Sequence, residues 1–358
     1  MKFNPTRLSI ARKRRMLNKK DFAEKIEVAT HTAVRWENNQ TEPTLENITA
    51  FARVLKYPRQ FFFGADIDTA DSAITSFRSQ TAMSAAIRDA ALAAGSLGFL
   101  ISDWIDSKFD LPAINLPDLH LYEPEAAATA LRQEWGLGER PISNMIQLLE
   151  SKGVRVFALA ENTAKVNAYS LWRKDKAYVF LNTFKSAESS RFDAAHELAH
   201  LILHQDGQVS GRPAEDQANR FASEFLMPKA DVLGVLPRIA YLEQLIRAKT
   251  RWKVSVAALN YRLHHLGITT EWKYRDLCIE ISKRGYNKGE PQEIERETSI
   301  VWRKVLNALW AEHTTHLDIA ELLAIPETEL STLVFGILPS AGRNATETGQ
   351  SLSLVTSA

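Results

Sequence analysis

The residues His196-Glu197-Leu198-Ala199-His200 carry the sharpest chemistry in this sequence. On a helix, positions four apart share a face about 6 Å from each other, so both imidazoles can reach one tetrahedral ion. Glu197 lies one position along, where a carboxylate can lean over the open coordination site and take a proton from water instead of ligating. Phe192, Ala195, Leu198, Ala199, Leu201 and Ile202 make the rest of this helix apolar. Buried imidazoles need partners, and a metal supplies one. The competing reading is a buried helix with satisfied structural histidines.

A catalytic zinc takes three protein ligands and a water. Fifteen residues after His200, the run Glu215-Asp216-Gln217-Ala218-Asn219 opens a second helix. Glu215 is the expected third ligand, ahead of Asp216 and Asp206. Asn219, one turn on, is placed to orient a ligating imidazole from behind. His204 continues the i+4 series and is read as a structural residue packed on the following loop. Tyr169, Tyr241 and His204 are candidates for stabilising an oxyanion. Cys278 could reach the metal's open position as a thiolate, but a lone cysteine is more often a small buried hydrophobe.

The elements that must hold these groups are legible around them. Strand-like runs at 154–160, 167–172 and 177–181 precede a helix at about 187–203. A polar loop at 205–213 then leads to a helix at 214–226, stopped by Met227-Pro228. Most of the chain beyond reads as helical. Upstream, residues 6–63 read as five short helices, with apolar faces at Leu8, Ile10, Leu17, Phe22 and Ile26 and later at Ile48, Phe51 and Leu55. Asn18 is the expected N-cap of the second helix, with Asp21 in the capping-box position.

Charge separates these regions. The chain totals +1, yet residues 1–63 hold thirteen Lys/Arg against six Asp/Glu, a local balance of +7. A basic first domain on a mildly acidic body implies that the first domain meets a polyanion. One cysteine excludes an internal disulfide and fits a reducing compartment. No apolar signal core opens the sequence, and the greasiest run, 90–101, is too short to span a bilayer. A cytoplasmic protein without a membrane partner is expected.

Two resemblances sharpen this. The block from Arg191-Phe192 through His204, followed by Glu215-Asp-Gln-Ala-Asn219-Arg-Phe-Ala-Ser-Glu-Phe-Leu-Met-Pro228, resembles the ImmA/IrrE family of zinc metallopeptidases. The likeness runs from about residue 75 through Gly336. It implies zinc on His196, His200 and Glu215, with Glu197 as catalytic base, and cleavage of a DNA-binding repressor or antitoxin. Family members commonly carry Glu where this chain has Gln217, a difference not expected to matter. Residues 6–63 resemble the lambda-repressor-like (XRE) helix-turn-helix family. That likeness implies Thr30, His31 and Arg35 in the major groove of double-stranded operator DNA, Lys19, Lys20, Arg14 and Arg15 on phosphates, an Arg12–Glu37 pair across the core, and a homodimer.

The expected fold is mainly α with a small α+β part. A five-helix lambda-repressor-like domain (1–68) precedes a helical linker region (69–117). A zincin-like metallopeptidase domain with a small sheet (118–235), a helical C-terminal region (236–338) and a disordered tail (339–358) follow. Within the C-terminal region, residues 311–336 repeat a helix-turn-helix spacing weakly, but their acidic residues would repel phosphate, so a packing element is expected. Functionally the sequence reads as a DNA-binding regulator with a zinc-dependent endopeptidase domain that cleaves a repressor, an antitoxin or itself, in a stress, toxin–antitoxin or phage-related setting. The alternative is a repressor or antitoxin whose metallopeptidase-like domain only senses or binds a partner.

Groove and phosphate contacts separate experimentally. Arg35→Ala is expected to relax base choice at one operator position, whereas Lys19→Ala lowers the salt slope of binding by about one without moving the site. Titration of operator variants at several salt concentrations reads both, and unchanged base choice in Arg35→Ala would remove it from the groove.

Overall fold

Alternation along three short strands gives one sheet two apolar faces. The computed structural model describes residues 2–70, 84–159, 168–205, 209–236, 241–286 and 289–337. The middle of the 65–85 linker, Asp206 and the 339–358 tail lie outside these residues. Strands β1 (Arg155–Leu159), β2 (Ala168–Arg173) and β3 (Lys176–Asn182) lie in the order β1-β3-β2, with β1 parallel and β2 antiparallel to β3. Phe157, Leu159, Tyr169, Leu171, Tyr178 and Phe180 join one core, while Val156, Ala168, Ala177, Val179 and Leu181 join another.

Helices α1 (Pro5–Arg14), α2 (Lys19–Lys25), α3 (Thr30–Glu37) and α4 (Leu45–Leu55), with a 3-10 turn at Arg59–Phe63, form the first domain. Its hub is the buried Phe51 ring, with Phe22, Trp36 and Phe62 at centroid distances of 5.5, 5.3 and 5.7 Å. Trp36 thus pins the underside of α3, and Arg12 grips Glu37 through two hydrogen bonds of 2.5 and 3.0 Å.

α5 (Ala85–Asp106), expected as part of a linker, is a core helix: its buried middle covers the aromatic face of the sheet. The approach is close enough to require glycine. A Cβ on Gly95 would lie 2.4 Å from the Tyr169 hydroxyl, and one on Gly98 would lie 2.9 Å from the Phe180 ring. By length and composition α5 could cross a membrane, but this burial explains its apolar run.

α6 (Pro124–Glu134) and α7 (Met145–Ser151) precede the sheet, and α8 (Ala187–Leu203) and α9 (Arg212–Leu226) follow it. α8 covers the second face of the sheet and packs along α9. Its register is fixed by the buried Arg191, which pairs with Glu297. The other oxygen of Glu297 accepts from the amides of Met145 and Ile146 at 2.8 and 3.2 Å, tying α8 to the start of α7. α10 (Lys229–Val235), α11 (Leu242–Trp252), α12 (Val256–His265) and α13 (Glu271–Lys283) extend this second core.

The last elements, α14 (Ile300–Ala311), α15 (His316–Leu323) and α16 (Glu327–Leu333), return to the first core. Ala320 and Leu330 are buried there, so the weak repeat at 311–336 is a packing element. This return corrects the placement of two residues. Arg14 and Arg15, expected on DNA phosphates, are turned inward onto the single buried carboxylate of Glu329, at 2.8 and 2.5 Å. Arg15 also donates to the carbonyl of Leu55 at 2.7 Å. Glu329 is buried, 4% exposed, and a buried carboxylate left without cationic partners is costly, so the two guanidiniums are held on it.

A second buried carboxylate joins the sheet side to this return. Glu150 on α7 accepts the Ser299 hydroxyl and the amides of Ile300 and Val301 at 3.0 and 3.2 Å, capping α14. Burial outweighs these donors and pushes its carboxyl up to about 7 from the ordinary 4.5. A raised carboxyl means that the folded chain holds a proton the unfolded chain has lost, so stability falls as pH rises from about 4.5 to about 7. Glu150→Gln keeps the acceptor for both amides and cannot ionise. Urea unfolding at pH 5 and pH 8 should show the variant gaining up to about 3 kcal/mol on the wild type between them; parallel profiles would refute the raised carboxyl.

Candidate metal centre

The burial of α8 decides what its polar residues can do. His196 and Glu197 are 0% and 1% exposed and His200 is 8% exposed, on a helix whose neighbours are apolar. Each imidazole turns one nitrogen away from the cluster. His196 Nδ1 lies 3.1 Å from Asn219 Oδ1, and His200 Nδ1 lies 2.9 Å from His204 Nδ1. The other two nitrogens face each other, with His196 Nε2 and His200 Nε2 3.0 Å apart.

α9 brings the third group. Gly211 enters the helix at φ 64°, Pro213 occupies its first turn, and Glu215 follows one position after the buried Ala214. Glu215 Oε2 lies 3.4 Å from His196 Nε2, and Oε1 lies 3.5 Å from His200 Nε2. One atom from each residue can be chosen so that all lie within 4.8 Å of one another. Burial alone would raise the Glu215 carboxyl, but the imidazoles of His196 and His200 beside it outweigh that and hold the group well below the usual carboxylate range. Asp216, the adjacent alternative, is exposed.

These donors suit a divalent ion. When each Nδ1 carries the hydrogen, both Nε2 atoms present lone pairs to each other and to a carboxylate, and either protons on the imidazoles or a metal ion must then supply positive charge among them. Glu215 Oε2 is buried with no hydrogen-bond donor among the described residues. Two ligands 2.0–2.1 Å from a tetrahedral zinc sit about 3.3 Å apart, close to the 3.0, 3.4 and 3.5 Å found here.

Sheet alternation supplies a residue that the sequence reading passed over. Ser170, at the centre of β2, faces α8, and its hydroxyl donates to Glu197 Oε2 at 2.7 Å. The adjacent Trp172 fixes the same strand to the helix through Nε1 and the Leu201 carbonyl at 3.0 Å. The same alternation removes Tyr169 from the site: it points to the opposite face, where its hydroxyl donates to the Ala91 carbonyl at 2.8 Å. Tyr241 is 68% exposed at the start of α11. His204 is engaged with His200 and, at 2.8 Å, with Gln217 Oε1, so the residue at 217 contacts the site after all. Cys278 sits on α13 within 3.3 Å of Asn260 Nδ2, apart from the cluster.

In the first domain Thr30, His31 and Arg35 are exposed on α3, as is Lys20 on α2, while Lys19 lies 3.5 Å from Glu37 Oε2. α3 therefore offers an open face, unlike the inward-turned Arg14 and Arg15.

Comparison with known families agrees with this division. Residues 8–62 match the family model described as helix-turn-helix, and residues 149–264 match that described as the IrrE N-terminal-like domain, a family of the metallopeptidase type. The second match is narrower than the stretch from 75 to 336 over which the resemblance was drawn. No curated protein matches the chain. The chain thus pairs a DNA-binding type of domain with a peptidase type of domain.

Removing one donor tests the cluster directly. Glu215→Ala is expected to lower bound zinc, measured by atomic emission after dialysis, from about one equivalent to a small fraction, with the far-ultraviolet spectrum unchanged. Full occupancy in Glu215→Ala would exclude it as a ligand.

Proposed function

We propose that this chain is a DNA-binding transcriptional regulator whose second domain is a zinc-dependent endopeptidase acting on a helix-turn-helix repressor, an antitoxin or the chain itself. The observation that carries the reading is Glu197 beside the His196–His200–Glu215 cluster. A site that only held a metal would have no need of a carboxylate one position from a ligand. The two family matches and the +7 balance of residues 1–63 support the pairing of DNA with a protein substrate.

His196, His200 and Glu215 would hold the ion, which when bound polarises a peptide carbonyl and acidifies water. Asn219 orients His196. Ser170 holds one oxygen of Glu197 at 2.7 Å, fixing the carboxylate against the sheet. Glu197 accepts the proton of the attacking water and returns it to the departing amine. Thr30, His31 and Arg35 read the operator, and Lys19 and Lys20 meet its phosphates. The regulator acts as a homodimer in the cytoplasm, and cleavage changes promoter occupancy in a stress, toxin–antitoxin or phage-related circuit.

The second reading, a repressor whose metal domain only senses a partner, draws on the burial of Glu197, 1% exposed and already hydrogen-bonded. Incubating the purified chain with Zn²⁺, alone and with the product of the neighbouring gene, separates the two. Glu197→Gln should retain its zinc and lose about 10²–10⁴ in cleavage rate. Cleavage by that variant at the wild-type rate would end the peptidase reading, and zinc binding without any cleavage by the wild type would favour the sensor.

A further inference from the structure

His200 stands at one end of a line of hydrogen bonds whose direction bears on metal binding. Its Nδ1 lies 2.9 Å from His204 Nδ1, and His204 Nε2 lies 2.8 Å from Gln217 Oε1. A carbonyl oxygen only accepts, so His204 carries its hydrogen on Nε2 and offers a lone pair at Nδ1. His200 must then donate from Nδ1, which leaves Nε2 with the lone pair that a metal needs. Turning the Gln217 amide over reverses the whole line. Its NH₂ would donate to His204, His204 would donate from Nδ1, and the hydrogen of His200 would move to Nε2, facing His196 and Glu215.

The line also crosses between helices. His200 belongs to α8, His204 caps its end, and Gln217 stands two residues beyond Glu215 on α9. Gln217 therefore couples the pose of a histidine to the helix that delivers the third donor. His196, by contrast, relies on one direct bond to Asn219 at 3.1 Å.

We infer that His204 and Gln217 are positioning residues that set the metal affinity of the centre by placing the hydrogen of His200 on Nδ1. This rests on the metal-centre reading above and adds two residues to it. A carboxylate at 217 accepts only, so it cannot adopt the reversed direction. A thioether of similar length at 217 offers only a weak acceptor and withdraws the contact that orders His204 Nε2.

Competition for Zn²⁺ against a chromophoric chelator, with no substrate present, measures the effect. Gln217→Met is expected to weaken zinc binding about 10–100-fold, and Gln217→Glu to match or exceed the wild type. In a His204→Phe background the Met and Glu forms should bind zinc equally, because the line is already cut. Thermal melting of the metal-free proteins should coincide, which a loss of packing would prevent. Wild-type affinity in Gln217→Met, or a Met–Glu difference that survives in His204→Phe, would overturn the inference. A wild type that binds no Zn²⁺ would overturn the metal-centre reading itself, and this inference with it.

Discussion

Two imidazole nitrogens 3.0 Å apart inside a buried helix are the constraint around which the second domain is organised. Lone pairs that face each other across so short a gap, with a carboxylate beside them, raise the energy of the fold unless positive charge lies between them. The surroundings look arranged to hold that geometry, not to relieve it. The sheet closes one side of α8, Arg191 and Glu297 fix its register, and α9 lies along it carrying both a donor and two hydrogen-bond partners for the histidines. A divalent ion held there would link the stability of the domain to metal supply.

What could be read from the sequence divides by the range of the contact involved. His196, Glu197 and His200 share one helical face, so spacing alone shows that they converge. Glu215 and Asn219 were within reach because a short loop returns the chain as a second helix. The contact between His204 and Gln217 depends on how α8 and α9 cross, which no periodicity encodes. Ser170 was accessible in principle: period-two alternation puts Ala168, Ser170 and Trp172 on the helix-facing side, and the same count sends Tyr169 to the other. The helices themselves were legible from their caps and apolar faces, as at Asn18, whose side chain accepts from the Asp21 amide at 2.8 Å.

The basic residues of the first domain show a different limit. Arg14 and Arg15 look no different in sequence from Lys19 and Lys20, because a positive side chain near a helix-turn-helix is compatible with phosphate, water or an internal acid. Their partner, Glu329, lies more than 300 positions away. The helical linker was misjudged for a related reason. An apolar stretch with small residues reads as a packing helix, but only the sheet, formed later in the chain, shows what it packs against.

The ion pair of Arg14 and Arg15 with Glu329 also bears on how the protein is made. The first domain has an aromatic hub, and that hub is continuous with the core formed by α5, the sheet and the last helices. Its seat against the rest of the molecule includes α16, where Glu329 stands 315 positions after Arg14. During synthesis the first domain therefore precedes α16, and the ion pair forms only once that helix is present. A chain ending before Glu329 would remove that internal acid from Arg14 and Arg15 and leave two more cations on the first domain without it.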